Sequence, residues 1–364
     1  MAIIKSFQPT LPDLEKIGDV NLFFLQVKEK FSHFLEKNYF TTIHENVMVV
    51  HRVQNEQGDF VGLSTCVDVE EYLAGNIVRH ELTLEEKERT IMALTLERQA
   101  FIKPTMLTYL KIQEITDLLL KLTEKYPIYH QINFLKEKHS FYLIKKEKHL
   151  KKLTDLFQQH LSKVYIADGH HRFATAANLY KRNSKRRYFL ASLFGSDQLE
   201  INEFNRIIST LNGLTPQDFI VQLSQSFAIT KLHARRKAQR VQEIVMYLSN
   251  EWYSLQLRDE EIARLKTLPL AKRLDVSILN RLIIKEILGI CDVRSDAQVK
   301  YAEGIKSLSE IEKKVNKNSE GVGFALYPIS GKSFIDVSDA GETLPPKSTF
   351  FTPRMRNGFV VQRF

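Results

Sequence analysis

The 364 residues carry 52 Lys and Arg against 43 Asp and Glu, a formal charge of +9, with 43% hydrophobic and 26% charged residues. This balance excludes wholesale disorder and supplies enough apolar material for a sizeable core. No apolar run reaches bilayer length, Met1-Ala2-Ile3-Ile4-Lys5 lacks the order of a secretory signal, and Cys66 and Cys291 form no CxxC motif, so a soluble cytoplasmic chain with reduced thiols is expected.

The chain alternates element types. Phe23, Phe24, Val27, Phe31 and Phe34 recur at helical spacing and predict a helix over 20–37. Val47 to Val50 and Val61 to Leu63 flank the polar run 54–59 and predict a hairpin. Helices are expected over 84–99, 113–125 and 148–160, and strands at 108–110, 128–134 and 140–144. The β-rich run Lys163 to Ala167 then enters a Gly turn and an Ala-rich helix, 173–180. Strands follow at 188–194 and 201–210. Asn212-Gly213, before the helix start Thr215-Pro216, predicts a boundary, giving domains over 1–212 and 213–364. Beyond it come strands at 227–232, 241–248 and 252–257, a helix over 276–288, two charged helical stretches between 295 and 317, and a strand at 323–327. Mixed elements throughout predict an α/β or α+β fold, with a mixed-sheet first domain and an α+β second one.

The densest chemistry sits at Asp168-Gly169-His170-His171-Arg172, where a buried strand turns into a helix. The first turn of a helix presents unpaired amides and the positive end of the dipole, which attract anions. Gly169 permits a sharp bend and close approach, and Arg172 offers a fork for two phosphate oxygens. His170 and His171 are candidates for proton transfer near neutral pH, and Asp168 for orienting an imidazole, capping the helix or holding a phosphate-bridged metal. The bland reading makes Asp168 an N-cap and the histidines surface residues. Zinc is disfavoured, because adjacent histidines diverge and no third ligand stands at metal spacing.

His80-Glu81-Leu82-Thr83 precedes the next helix, with Glu81 a candidate general base and His80 its partner; a capping segment is the structural alternative. Lys347 and Ser348, in Pro345-Pro346-Lys347-Ser348-Thr349, are candidate phosphate contacts or members of a rigid turn. Gly331-Lys332-Ser333 imitates the end of a Walker A loop, but Leu326 occupies the position of its first glycine. No GxSxG or GxGxxG occurs, and the Asp-x-Asp of aspartyl-phosphate phosphatases is missing around Asp168. Basic runs at 145–152, 181–187 and 233–240 lack aromatic interleaving and read as solvated faces.

The run Tyr165 to Arg172 resembles the hallmark of a bacterial family known as domain of unknown function (DUF) 1015. Further matching stretches are Phe204-Asn205-Arg206, Asn212-Gly213-Leu214, Arg273 to Leu279, Leu288-Gly289-Ile290, Phe324 to Pro328 and Pro345 to Phe351. That resemblance implies the ParB/sulfiredoxin-like superfamily, which also holds free serine kinases, and phosphate chemistry with ATP or ADP and magnesium. It implies that Gly169, His170, His171 and Arg172 hold phosphates, that Asp168 assists a metal or the hydroxyl, and that serine or phosphoserine is the substrate. The sequence departs from the family's pattern in three places. Only Gly18-Asp19-Val20 remains of a Pro-Tyr-Asp-Val segment. His-Glu-Phe-Thr-Arg-Pro becomes His80 to Glu85 with Leu84 in place of arginine, and a Gly-Pro pair becomes Lys103-Pro104.

Three functional expectations follow. The first is phosphoryl transfer on a small hydroxy amino acid, kinase-like or phosphatase-like. The second is a catalytically impaired protein that binds a phosphometabolite or nucleotide. The third is a ParB-like nucleic-acid binder, motivated by the +9 charge, although nucleic acid is the less favoured partner. No membrane partner is expected, and homo-oligomerisation is left open.

Overall fold

A computed structural model describes residues 3–81, 83, 85–317 and 320–364. The chain folds into two compact units, Met1–Glu200 with Pro353–Phe364, and Ile201–Thr352. The last twelve residues thus return to the first unit, and Asn212-Gly213 lies within the second. The mixed α/β class expected from the sequence is found.

The first unit is built on a mixed sheet. Among the described residues its strand order is Ile77–Val78, Val164–Asp168, Thr105–Tyr109, Tyr188–Gly195, Gly58–Asp68, Met48–Asn55, Glu137–Ile144 and His130–Phe134, with Ile4–Lys5 beside Gly58–Asp68. Two pairings are parallel, Val164–Asp168 with Ile77–Val78 and Tyr188–Gly195 with Thr105–Tyr109; the others in this sheet are antiparallel. The helix Val20–Glu36 buries the five residues its spacing picked out, and Asp19 caps it by accepting from Leu22 N. Phe24 meets Phe359 edge to face, ring centroids 4.4 Å apart. Val361–Arg363 pairs with both Pro9–Pro12 and Ala100–Phe101. The C-terminal segment is therefore part of this unit's core.

Register explains what this sheet gathers. Val164 and Tyr165 lie beside Ile77 and Val78 in parallel, so the chain leaves both strands at the same end, at Asp168 and at His80-Glu81. Asp168 opposes Met106 on the antiparallel strand, after an irregularity between Ile166 and Asp168, so the segment entering that strand at Lys103 reaches the same end.

The second unit holds an antiparallel sheet ordered Phe227–Leu232, Glu251–Leu257, Glu243–Leu248, Val322–Ala325, Phe204–Ile208 and Val299–Glu303. Its apolar core includes Phe219, Phe227, Met246, Leu255, Ile283 and Phe324. Two expectations need correction here. The charged region 295–317 contains one strand, Val299–Glu303, and one helix, Ser309–Val315, rather than two helices. Val299 and Ala302 are buried in that strand, so its charged composition hid a paired edge. The expected helix 276–288 is a short α turn, Asp275–Ile278, followed by a π segment, Leu279–Lys285.

Candidate functional site

The helix after Asp168 opens three residues earlier than expected, spanning His170–Arg182 rather than starting at Phe173. Gly169 is its N-cap at φ 106°, a left-handed conformation that glycine adopts without steric cost. Asp168 is therefore not the cap, and no described side chain caps this helix.

Arg172, in the first turn, folds back over the glycine. Its Nη2 donates to Asp168 Oδ2 at 2.9 Å and to the Asp168 carbonyl at 3.3 Å. A Cβ on Gly169 would stand 2.4 Å from Arg172 Nη2, so the glycine leaves room for this guanidinium. The expected cradle of open amides is thus covered on one side by the chain's own arginine. The buried Arg172 Nε makes no hydrogen bond to a described residue.

Two further cations converge on Asp168. Lys103 Nζ lies 3.4 Å from Oδ2, and Arg354 Nη2 lies 4.0 Å from Oδ1. Burial alone would raise the Asp168 pKa, but Arg172, Lys103 and Arg354 outweigh it and hold the carboxyl well below the usual range. Burial, with Arg172 alongside, pushes Lys103 down to about 8. Arg172, Lys103 and Arg354 thus gather three cationic groups around Asp168 in a half-buried setting, an arrangement that attracts an anionic ligand.

His80 and Glu81 join this cluster, which brings two separate sequence motifs to one place. The His80 and His170 rings meet edge to face at 4.3 Å, and both histidines are buried. His80 N donates to His170 Nε2 at 3.4 Å, so the neutral His170 carries its proton on Nδ1. That nitrogen faces Glu81 Oε2 at 3.8 Å. Burial lowers the His170 pKa to about 3, and Asp168 only partly opposes this. Burial and the neighbouring His170 lower His80 as well. His170 is thus buried rather than at the surface, and its ring is held neutral. It is a neutral donor aimed at Glu81.

His171 points its chemistry elsewhere. Burial, then the neighbouring Lys87, lowers its pKa, with Glu88 opposing. Both neighbours belong to the helix Glu85–Arg98, which also engages Asn178 Nδ2 through Glu88 Oε2 at 3.1 Å. Leu82 and Leu84, the latter replacing an arginine, lie outside the described residues.

Lys347 and Ser348 belong to the second unit. Ser348 is buried and its hydroxyl donates to the Pro345 carbonyl, while Arg206 Nη2 donates to the Pro346 carbonyl at 3.2 Å. Lys347 Nζ stands 5.2 Å over the Phe204 ring. These contacts hold Lys347 and Ser348 within a turn of the second unit. Sequence reasoning missed Lys103 and Arg354 as site members. Lys103-Pro104 registered only as a departure from a pattern, and Arg354 is distant in sequence and carries no local signal.

Magnesium at Asp168 does not fit this arrangement. Both carboxylate oxygens face cations, and a divalent ion there would meet three positive charges. Among the described residues no group of three or more His, Cys, Asp or Glu could hold a metal.

Residues 10–277 match the family described as protein of unknown function DUF1015. This chain belongs to the DUF1015 family. Comparison with curated proteins gives no match. Among solved structures, this DUF1015 chain is similar to a C-terminally truncated SbnI from Staphylococcus aureus, at 13% identity over 81% of this chain and 85% of that one, TM-score 0.43. A free serine kinase in complex with AMP gives 11% identity over 81% and 90%, TM-score 0.39. A conserved hypothetical protein from Pyrococcus furiosus gives 10% over 81% and 94%, also with TM-score 0.39. No described helix of the DUF1015 chain is long and apolar enough to cross a membrane.

Proposed function

We propose that the Asp168 cluster binds the phosphate of a small phosphometabolite or nucleotide, and that the chain transfers a phosphoryl group to or from the hydroxyl of a small amino acid such as serine. The observation that carries this reading is the ring of Arg172, Lys103 and Arg354 around one carboxylate, with Arg172 Nε left over as a donor. A phosphate would complete that charge set. The serine assignment rests on the resemblance of Tyr165 to Arg172 to the superfamily that holds the serine kinases.

In the kinase direction the serine hydroxyl oxygen attacks the terminal phosphorus of a nucleoside polyphosphate. The new O–P bond forms as the bridging P–O bond breaks, and the shortened nucleotide leaves with the bridging oxygen's charge. The hydroxyl proton passes to Glu81. Arg172, Lys103 and Arg354 hold and neutralise phosphate oxygens, which is most of what phosphoryl transfer asks of a protein. Asp168 organises the three cations, and His170 stands beside Glu81 with Nδ1 3.8 Å from its Oε2. In the phosphatase direction water replaces serine as the attacking group on phosphoserine.

The test is incubation of the purified full chain with phosphoserine, and with serine plus ATP or ADP and magnesium, following phosphoserine, serine and nucleotide. Turnover in one direction is expected, and Glu81→Gln should lower it about 100-fold or more. Folded protein that turns over neither mixture contradicts the transferase reading.

A second reading is favoured by Leu84, which stands where the family pattern has arginine and so removes a phosphate fork. On that reading the protein binds phosphoserine or nucleotide and does not turn it over.

A further inference from the structure

The second unit contains a cavity of about 240 Å³ unrelated to the Asp168 cluster. Its apolar wall includes Leu270, Leu274, Ile329 and Val337, and Asp275 contributes to its lining. Such a volume suits a metabolite the size of an amino acid; pockets for drug-sized ligands run to roughly 300–1,000 Å³.

Asp275 is the unusual wall residue. It is 6% exposed, and Oδ1 accepts from Gln242 N at 2.9 Å. Oδ2 accepts no hydrogen bond from a described residue, and no described Lys, Arg or His pairs with the carboxyl. A buried carboxylate without a cation is costly, so it either takes a proton or meets a positive charge supplied from outside. The other charged groups around the cavity do not supply one. Asp336 is paired with Lys332 at 2.6 Å. The exposed Arg273 is tethered at the rim through Nε, which donates to the Leu268 carbonyl at 2.7 Å. Glu243 adds like charge nearby and is itself held by Arg236 at 2.6 Å.

We propose that this cavity binds a primary ammonium carrying a short apolar chain, with Asp275 as its counter-ion and Leu270, Leu274, Ile329 and Val337 around the chain. A free amine and an α-amino acid share this chemistry. Arg273 at the rim favours the amino acid, whose carboxylate it would meet. Burial raises Asp275 to about 7, with Gln242 N opposing and Glu243 reinforcing, so the site exchanges its proton for the ligand's charge at neutral pH. The Gly331–Asp339 helix does not supply the site, because Ser330 already caps it by accepting from Ser333 N at 3.0 Å. The proposal stands independently of any activity at Asp168.

Calorimetric titration of the full chain with L-leucine, 3-methylbutylamine and 4-methylpentanoate tests it. L-leucine and the amine should bind saturably at pH 8 and about tenfold more weakly at pH 6, while the acid should not bind. Asp275→Asn keeps an acceptor for Gln242 N, should leave the thermal midpoint close to wild type, and should abolish binding of both ammonium ligands. Equal binding of amine and leucine would assign free amines; stronger leucine binding, reduced by Arg273→Ala, would assign amino acids. No saturable binding of either ammonium probe by wild type, or binding unchanged in Asp275→Asn, would overturn the proposal and leave Asp275 as a protonated structural group.

Discussion

Lys103 and Asp168, 65 positions apart, meet at 3.4 Å on an oxygen that Arg172 also holds at 2.9 Å. Burial makes Lys103 a cation whose charge depends on pH within the working range, although Asp168 opposes the shift. Its pKa is lowered to about 8 by burial and by Arg172. It is protonated below about 8 and neutral above. Phosphate binding should therefore weaken as pH rises from 7 to 9.5. Affinity for phosphoserine followed across that range should fall, and Lys103→Met should lower it at pH 7 and flatten the profile.

Gly169→Ala should harm both fold and site. At φ 106° any other side chain is strained, by about 1–3 kcal/mol for a sparsely populated region. The new methyl would also displace the Arg172 guanidinium. Chemical denaturation should show the lost stability, and phosphoserine affinity should fall more than in a variant of equal stability loss elsewhere.

Acid should destabilise the first unit well before its carboxylates titrate. His51, His80, His139 and His170 are buried, and burial is the leading cause holding each pKa below 6.5. His51 Nε2 and His139 Nδ1 lie 3.0 Å apart, and His139 Nε2 lies 3.3 Å from Glu137. Unfolding lets these rings take up protons, so their contribution is complete above about 6.5 and is lost as pH falls below it. Each costs at most about 1.4 kcal/mol per pH unit over that window. Urea midpoints measured from pH 8 to pH 5 should decline below pH 6.5; a flat profile would show the rings are not held neutral.

The C-terminal segment should be indispensable to the first unit. Phe359 is 2% exposed and packs on Phe24, Phe134 and His139, and Arg356 pairs with Glu137. Phe359→Ala should cost about 3–5 kcal/mol, read by urea denaturation.

Amphipathic elements were legible because their burial is periodic. The helix Val20–Glu36 and the hairpin of Met48–Asn55 with Gly58–Asp68 follow from spacing and a polar turn. Asp168 to Arg172 and His80-Glu81 were legible as chemistry, since few structural roles ask for such clusters. Their meeting was not, because parallel pairing of Val164–Asp168 with Ile77–Val78 leaves no local mark. Nor was the burial that makes His170 neutral, or the return of Arg354. The strand Val299–Glu303 was hidden because an edge strand tolerates charge.

The most direct measurement is calorimetric titration of phosphoserine and ADP into the wild-type chain and into Arg172→Gln, Lys103→Met and Arg354→Gln, at two salt concentrations. The cation ring predicts saturable binding of at least one ligand by wild type, weaker at high salt, and about tenfold or greater loss in each variant that remains folded. Wild-type protein that binds neither ligand, or three variants that bind as tightly as wild type, would contradict it.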